Sequence, residues 1–339
     1  MLKYKYAIGT HVMFYEIEMF SDFIDGMINL MSAVPNNDKA NILLDFAFNV
    51  SEFFEKIDTS KISKSELCDR FKQSIERLNP HICEKNITYR IIDSNGFYTQ
   101  TNYRREFNLN YSDKVDFLLW GETDSFFPRE TFFCLESLKE QTNKFGAHRF
   151  VACFSDRKMW DSSWDPTVHP KFLNHKFIES DFENKNQAKS FLSIDEMNKI
   201  NEENQSVDIS YIDYPKIDGS CLVLSSDLIK SGVNIPPCFI HNDDESFSLM
   251  AKRILGQNYL QFIFKNVLKV HARRHPKKRL YVMGENNPNG FCNEKKGEWW
   301  NIFLKMSQHN VNCLFDEQKR FFTFNDFLNE RDKNSHSNR

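Results

Sequence analysis

Short apolar runs that alternate with helical-period segments constrain this chain more than any other feature. Residues 4–16, "YKYAIGTHVMFYE", read as a buried first strand and the turn after it. In "IEMFSDFIDGMINLMSAV" (17–34) apolar side chains then recur every three or four positions, the spacing of one helix face. "ANILLDFAFN" (40–49) and "NITYRIID" (86–93) are the second and third strands, and "KVDFLLW" (114–120) is the fourth. Helices fill the intervals: "SKISKSELCDRFKQSIERL", with Ser63 or Ser65 as its cap, and a polar helix after the break at Asn95-Gly96. Strands separated by helices pair in parallel, and helices cover both faces of such a sheet. The expected class is α/β, a mostly parallel central sheet flanked by helices. Its ligands bind beyond the carboxyl ends of the strands.

Further along, residues 160–210 turn polar and poor in aliphatics, as in an inserted excursion or a mobile loop. "YPKIDGSCLVLSSDLI" (214–229) reads as a strand running into a helix at Ser225 or Ser226. An acidic cap leads into the next helix, and "NYLQFIFKNVLKVHARRHPKK" carries the last strand. We expect one domain over 1–290 and a helical C-terminal extension over 291–339 that ends in a disordered tail.

Composition narrows the class. The 339 residues hold 33 Phe and 11 Gly, so the core is aromatic. A net charge of -3 supplies no global field toward nucleic acid or membrane, so any grip on a polyanion must be local. The eight cysteines are scattered singly with no CxxC pair, which fits neither a zinc site nor a disulfide framework. Reduced thiols, the lack of a secretory apolar region at residues 1–10 and the lack of a long uncharged apolar stretch make a cytoplasmic protein the expectation.

Three constellations can carry chemistry. In "WGETDSFFP", Glu122 and Asp124 follow a buried strand, and residues i and i+2 of an extended segment face the same side. So placed, they suit a hard divalent cation, Mn²⁺ or Mg²⁺, shared with phosphate oxygens, although an isolated ExD is ordinarily just an acidic turn. In "HNDDESFSLMAKRI", Asp243, Asp244 and Glu245 open an amphipathic helix. Carboxylates favour that position anyway, but three exceed what a cap needs, and one could serve as a general base. In "VLKVHARRHPKKR", His271 ends an apolar run and is either a further metal ligand or a hydrogen-bonded strand-end histidine. The basic cluster behind it (Arg273, Arg274, His275, Lys277, Lys278, Arg279) is either a solvated face or a grip on a diphosphate or a polyanionic acceptor.

The order of these features, a strand-ending ExD, then an acidic helix start, then a strand-ending His, resembles the GT-A glycosyltransferases. These are nucleotide-sugar-dependent enzymes on a Rossmann-like sheet, and the resemblance covers roughly residues 4–280. It implies a metal-dependent hexosyl- or pentosyltransferase that moves a sugar from a nucleotide-sugar donor to an acceptor hydroxyl with inversion. By that likeness Glu122, Asp124 and His271 hold the metal, and Asp244, or its neighbour Asp243 or Glu245, is the base. Tyr103, Arg104 and Arg105 in "SNGFYTQTNYRREF" become donor contacts, as do Arg274 and Lys277. Gly9, Thr10 and Glu16, around the end of the first strand, would receive the base and ribose. The acceptor implied is a glycan, such as a surface polysaccharide, or modified DNA bearing hydroxymethylated bases. The sequence departs from the family in having Glu122 where Asp is usual and in lacking a Pro-x-Asn turn after the first strand. A Rossmann-like nucleotidyltransferase and a non-catalytic anion-binding protein are the competing readings. The former normally carries a Gly-rich phosphate loop, and neither GxGxxG nor a Walker loop occurs here.

Overall fold

The computed structural model describes residues 4–52, 56–94, 98–157, 161–175, 192–213, 217–237, 239, 242–271, 297–314, 316, 318–323, 325–326 and 329. In chain order the strands are β1 (Tyr6–Met13), β2 (Ile42–Asn49), β3 (Ile87–Ile92), β4 (Phe117–Gly121), β5 (Ser125–Phe126), β6 (Phe150–Ser155), β7 (Ile209–Tyr211), β8 (Leu222–Ser225), β9 (Leu260–Leu268) and β10 (Val270–His271). The helices are α1 (Ile17–Ser32), α2 (Lys64–Glu76), α3 (Gln100–Tyr111), α4 (Thr131–Lys144), α5 (Ile194–Asn201), α6 (Ser226–Lys230), α7 (Asp243–Leu255) and, last, α8 (Gly297–Cys313).

Eight strands form one sheet in the order β3-β2-β1-β4-β8-β6-β9-β7. β3, β2, β1 and β4 pair in parallel; β8 runs against both β4 and β6; β9 is parallel to β6, and β7 closes that edge antiparallel. The α/β class with a mostly parallel sheet is therefore what the chain adopts. The polar stretch 160–210 is partly built into it, since α5 and β7 both fall there.

Both faces of the sheet are buried, and side chains alternate between them. On β1, Tyr6, Ile8 and Val12 join one core while Ala7 joins the other. On β4, Phe117 and Leu119 face the first core, and Leu118 and Trp120 the second. The first core is sealed by α1, whose Phe20, Phe23, Ile24, Met27, Leu30 and Met31 follow the helical spacing that the sequence displays. Phe71 stacks on Phe20 and Phe48 there, and Phe46 meets Phe20 edge-on. The second core packs Tyr103, Phe107 and Trp120 against Leu228 and Phe247, and Val311 and Leu314 at the end of α8 join it. Among the described residues no helix is long and apolar enough to cross a membrane.

The turn from β1 into α1 and the cap of α2 form as the local sequence dictates. Ser63 Oγ accepts the Glu66 N–H at the start of α2, so Ser63 and not Ser65 is the cap. The carboxyl ends of β4, β6 and β9 and the amino end of the antiparallel β8 meet at one edge of the sheet, and the candidate site lies there.

Candidate active site

β4 ends at Gly121 and the chain turns at once, the Ser125 N–H donating to the Glu122 carbonyl at 3.0 Å. β5 then pairs antiparallel with β10, placing His271 opposite Ser125 and Val270 opposite Phe126. That four-residue sheet delivers the histidine to the two carboxylates. His271 Nε2 lies 3.5 Å from Asp124 Oδ2 and 3.7 Å from Glu122 Oε2. One ligand atom from each of the three residues lies within 4.8 Å of the others. Asp124 is buried and Glu122 partly so. The grouping expected of Glu122, Asp124 and His271 is thus present as geometry.

Glu122 is held from behind. Its Oε1 accepts from Arg104 Nη2 at 2.8 Å and from Gln100 Nε2 at 3.0 Å, while Oε2 is the oxygen nearer His271. Arg104 is buried and fully engaged: Nη1 donates to Asp243 at 2.6 Å, Nη2 also to the Gly219 carbonyl at 3.0 Å, and the guanidinium lies 4.7 Å over the Trp120 ring. Burial opposes its charge, but Asp243 and Glu122 outweigh that and raise its pKa further. Arg104, expected as a donor contact, joins Glu122 to Asp243 at the start of α7.

Three other expected donor contacts, Tyr103, Gly9 and Thr10, lie in the packed interior. Tyr103 is buried, and its hydroxyl donates to the Asp45 carbonyl and carboxylate at 2.8 and 2.9 Å. Gly9 and Thr10 sit within β1 and not at its end, and both are buried. A Cβ on Gly9 would come within 2.6 Å of the Phe107 ring and 2.7 Å of the Tyr103 hydroxyl, so glycine there serves helix-to-strand packing. Glu16 follows β1 as expected, and its carboxylate accepts the Met13 N–H at 3.0 Å. Thr10 Oγ1 and Arg105 Nη1 are buried and find no hydrogen-bond partner among the described residues. Arg274, Lys277 and the rest of the basic cluster lie outside the described residues.

The acidic helix start separates its three carboxylates cleanly. Asn242 takes a left-handed conformation (φ 57°), and α7 begins at Asp243. Asp243 is committed to Arg104. Glu245 is exposed and accepts from Asn242 Nδ2 at 3.0 Å. Asp244 accepts the Gly219 N–H at 3.1 Å and the Glu245 N–H at 2.7 Å. Burial first, then the Asp243 and Asp218 charges, push its carboxyl up to about 7, despite those donors and Arg104.

Residues that the sequence did not single out complete the edge. Asp218, Ser220, Asp156 and Lys269 are buried there, Lys269 Nζ lying 2.7 Å from Asp218 and 3.9 Å from Asp156. Lys269 carried a signal, a lone lysine between two apolar residues of a strand run, "VLKVH". Asp218 lies within the run "YPKIDGSCLVLSSDLI", read only as a strand leading into a helix. Among the described residues the edge gathers the carboxylates of Glu122, Asp124, Asp156, Asp218, Asp243 and Asp244 around only two fixed cations, Arg104 and Lys269.

No protein-family model matches the chain, and no curated protein does. Among solved structures it is similar to S. aureus TarS 1–349, at 11% identity and a TM-score of 0.46, over 93% of this chain and 73% of that one. It is also similar to GalNAc-T7 with UDP, GalNAc and Mn²⁺, at 8% identity and a TM-score of 0.48, over 98% of this chain and 57% of that longer one. Both of these are glycosyltransferases.

Proposed function

We propose that the protein is a metal-dependent glycosyltransferase that moves a sugar from a nucleotide-sugar donor to an acceptor hydroxyl with inversion. The observation that carries this reading is the convergence of Glu122, Asp124 and His271 at the carboxyl edge of the sheet. Two carboxylates and an imidazole are a donor set for Mn²⁺ or Mg²⁺, and the excess of buried negative charge calls for a cation. Bound there, such an ion supplies Lewis-acid neutralisation of the donor diphosphate. Glu122 and Asp124 would hold it by oxygen and His271 by Nε2.

Asp244 is the base this reading selects, because Asp243 is spent on Arg104 and Glu245 stands in solvent. It takes the proton of the acceptor hydroxyl as that oxygen bonds to the anomeric carbon. The bond from that carbon to the donor phosphate oxygen breaks with its electron pair on the diphosphate. A carboxyl that titrates near neutrality is matched to such a transfer. The acceptor in this reading is a glycan or hydroxymethylated DNA, and salt-dependent binding to duplex DNA separates the two.

The test is a screen of nucleotide sugars for Mn²⁺-dependent hydrolysis by the full chain. We expect turnover of at least one donor, abolished by a chelator and by Asp124→Asn, with the melting temperature of that variant retained. Wild-type turnover by Asp124→Asn overturns the assignment, and release of pyrophosphate in place of nucleoside diphosphate overturns the reaction class.

A further inference from the structure

His271 faces two acidic groupings at once. Its Nε2 side meets Glu122 and Asp124; its Nδ1 side meets Asp218 Oδ2 at 2.9 Å and Asp156 at 4.0 Å. The ligand atoms of Asp156, Asp218 and His271 also cluster within 4.8 Å, so the second grouping might be taken for a second metal site. Lys269 argues otherwise. Its Nζ sits within that grouping, donating to Asp218 Oδ2 at 2.7 Å and to the Ser220 carbonyl and hydroxyl, both at 2.6 Å. With Asp156 a further 3.9 Å away, the ammonium already occupies the place a second ion would take.

The loop that carries Asp218 is pinned on every side. Ser220 Oγ lies 2.8 Å from Asp218 Oδ2 and 3.1 Å from His271 Nδ1. The Gly219 N–H donates to Asp244 and its carbonyl accepts from Arg104. Cys221, next in sequence and buried, is held at φ 53°, a left-handed conformation rare for a side chain other than Asn, Asp or Gly. Strain in a residue this enclosed is tolerated only where surrounding contacts fix the backbone.

On the metal-dependent reading given above, we infer that Asp218 is a positioning residue: it accepts a hydrogen bond from His271 Nδ1–H and turns Nε2 toward Glu122 and Asp124, while Lys269 keeps Asp218 anchored and charge-compensated. An imidazole ligand whose second nitrogen is so held is fixed in tautomer and ring orientation. Loss of such a partner commonly weakens metal binding about 10- to 100-fold.

Calorimetric titration of Mn²⁺ alone into the full chain, wild type beside His271→Ala and Asp218→Asn, tests this. We expect Asp218→Asn to bind about 10- to 100-fold more weakly than wild type while its circular-dichroism melt shows the fold intact. Equal affinity in Asp218→Asn and wild type, with His271→Ala weakened, overturns the positioning role and leaves the metal site standing. Equal affinity in His271→Ala and wild type overturns the metal reading itself. Should Asp218→Asn fail to fold, nitrogen NMR of histidine-labelled wild type loaded with diamagnetic Cd²⁺ decides. Nδ1 protonated with Nε2 on the metal supports the role, and Nδ1 on the metal contradicts it.

Discussion

Asp244 and His11 show how one sheet edge sets opposite demands on two titratable side chains. The Asp244 carboxyl, raised to about 7 by burial and by the neighbouring carboxylates, is protonated in mild acid. As a base it works only when ionised, so the transfer rate rises with pH through about 7 and then levels. Asp244→Asn removes that rise and lowers kcat by roughly 10²- to 10⁴-fold, with donor affinity unchanged by calorimetry. A rate flat across the transition, or lost donor binding, contradicts the role. His11 is buried on β1 with its ring 5.8 and 6.0 Å from those of Tyr98 and Tyr103. Burial, then the Arg104 and Arg90 charges, lower its pKa to about 3. The unfolded imidazole takes a proton near the ordinary histidine value of 6.5 that the folded one refuses, so its contribution to stability is lost as pH falls from 6.5 toward 3. Asp244 contributes with the opposite sign, because its folded state takes up the proton first. Melting temperatures of His11→Gln and wild type compared across that range isolate the effect: the acid-induced loss is smaller in the variant. Equal losses would show that His11 is not held neutral.

At the scale of elements, legibility followed length. β1, β2 and α1 are long enough for apolar spacing to betray them, β4 with five residues shows only as an apolar run that stops at Gly121, and Glu122, Asp124 and the Asp243–Glu245 run could be placed because each adjoins a legible element. β5 and β10 have two residues each and β7 three, too few to show a period, so the pairing that sets Ser125 opposite His271 cannot be read from spacing. β6, in "RFVACFS", has no polar alternation because both faces are covered, and such a run is hard to tell from any other apolar segment. The same limit hid the fate of Arg104: a buried Arg and an arginine on a donor look alike until their partners are known. The loop between β7 and β8 yields a prediction at this scale. A Cβ on Gly219 would lie 2.8 Å from Arg104 Nη1 and 3.2 Å from Asp244 Cβ. Arg104 has no slack to give, since Asp243, Glu122 and the Gly219 carbonyl all hold it. Gly219→Ala should cost about 1–3 kcal/mol in a denaturant melt and weaken Mn²⁺ binding as well. A variant as stable as wild type, with the same metal affinity, would show that this loop does not organise the edge.

Across the whole molecule, two aromatic-rich cores clamp a sheet whose carboxyl edge is a concentration of buried acid. The global charge of -3 conceals this, because the imbalance is local. Keeping so many carboxylates together costs stability, which on the metal-dependent reading proposed above a bound cation restores. Anomalous diffraction at the manganese edge, from a crystal grown with Mn²⁺ and a nucleoside diphosphate, tests that claim most directly. One strong peak is expected, bounded by Glu122 Oε2, a carboxylate oxygen of Asp124 and His271 Nε2, with the diphosphate on its open side. A crystal with the diphosphate ordered, no peak at that position and His271 turned away from Asp124 would contradict it.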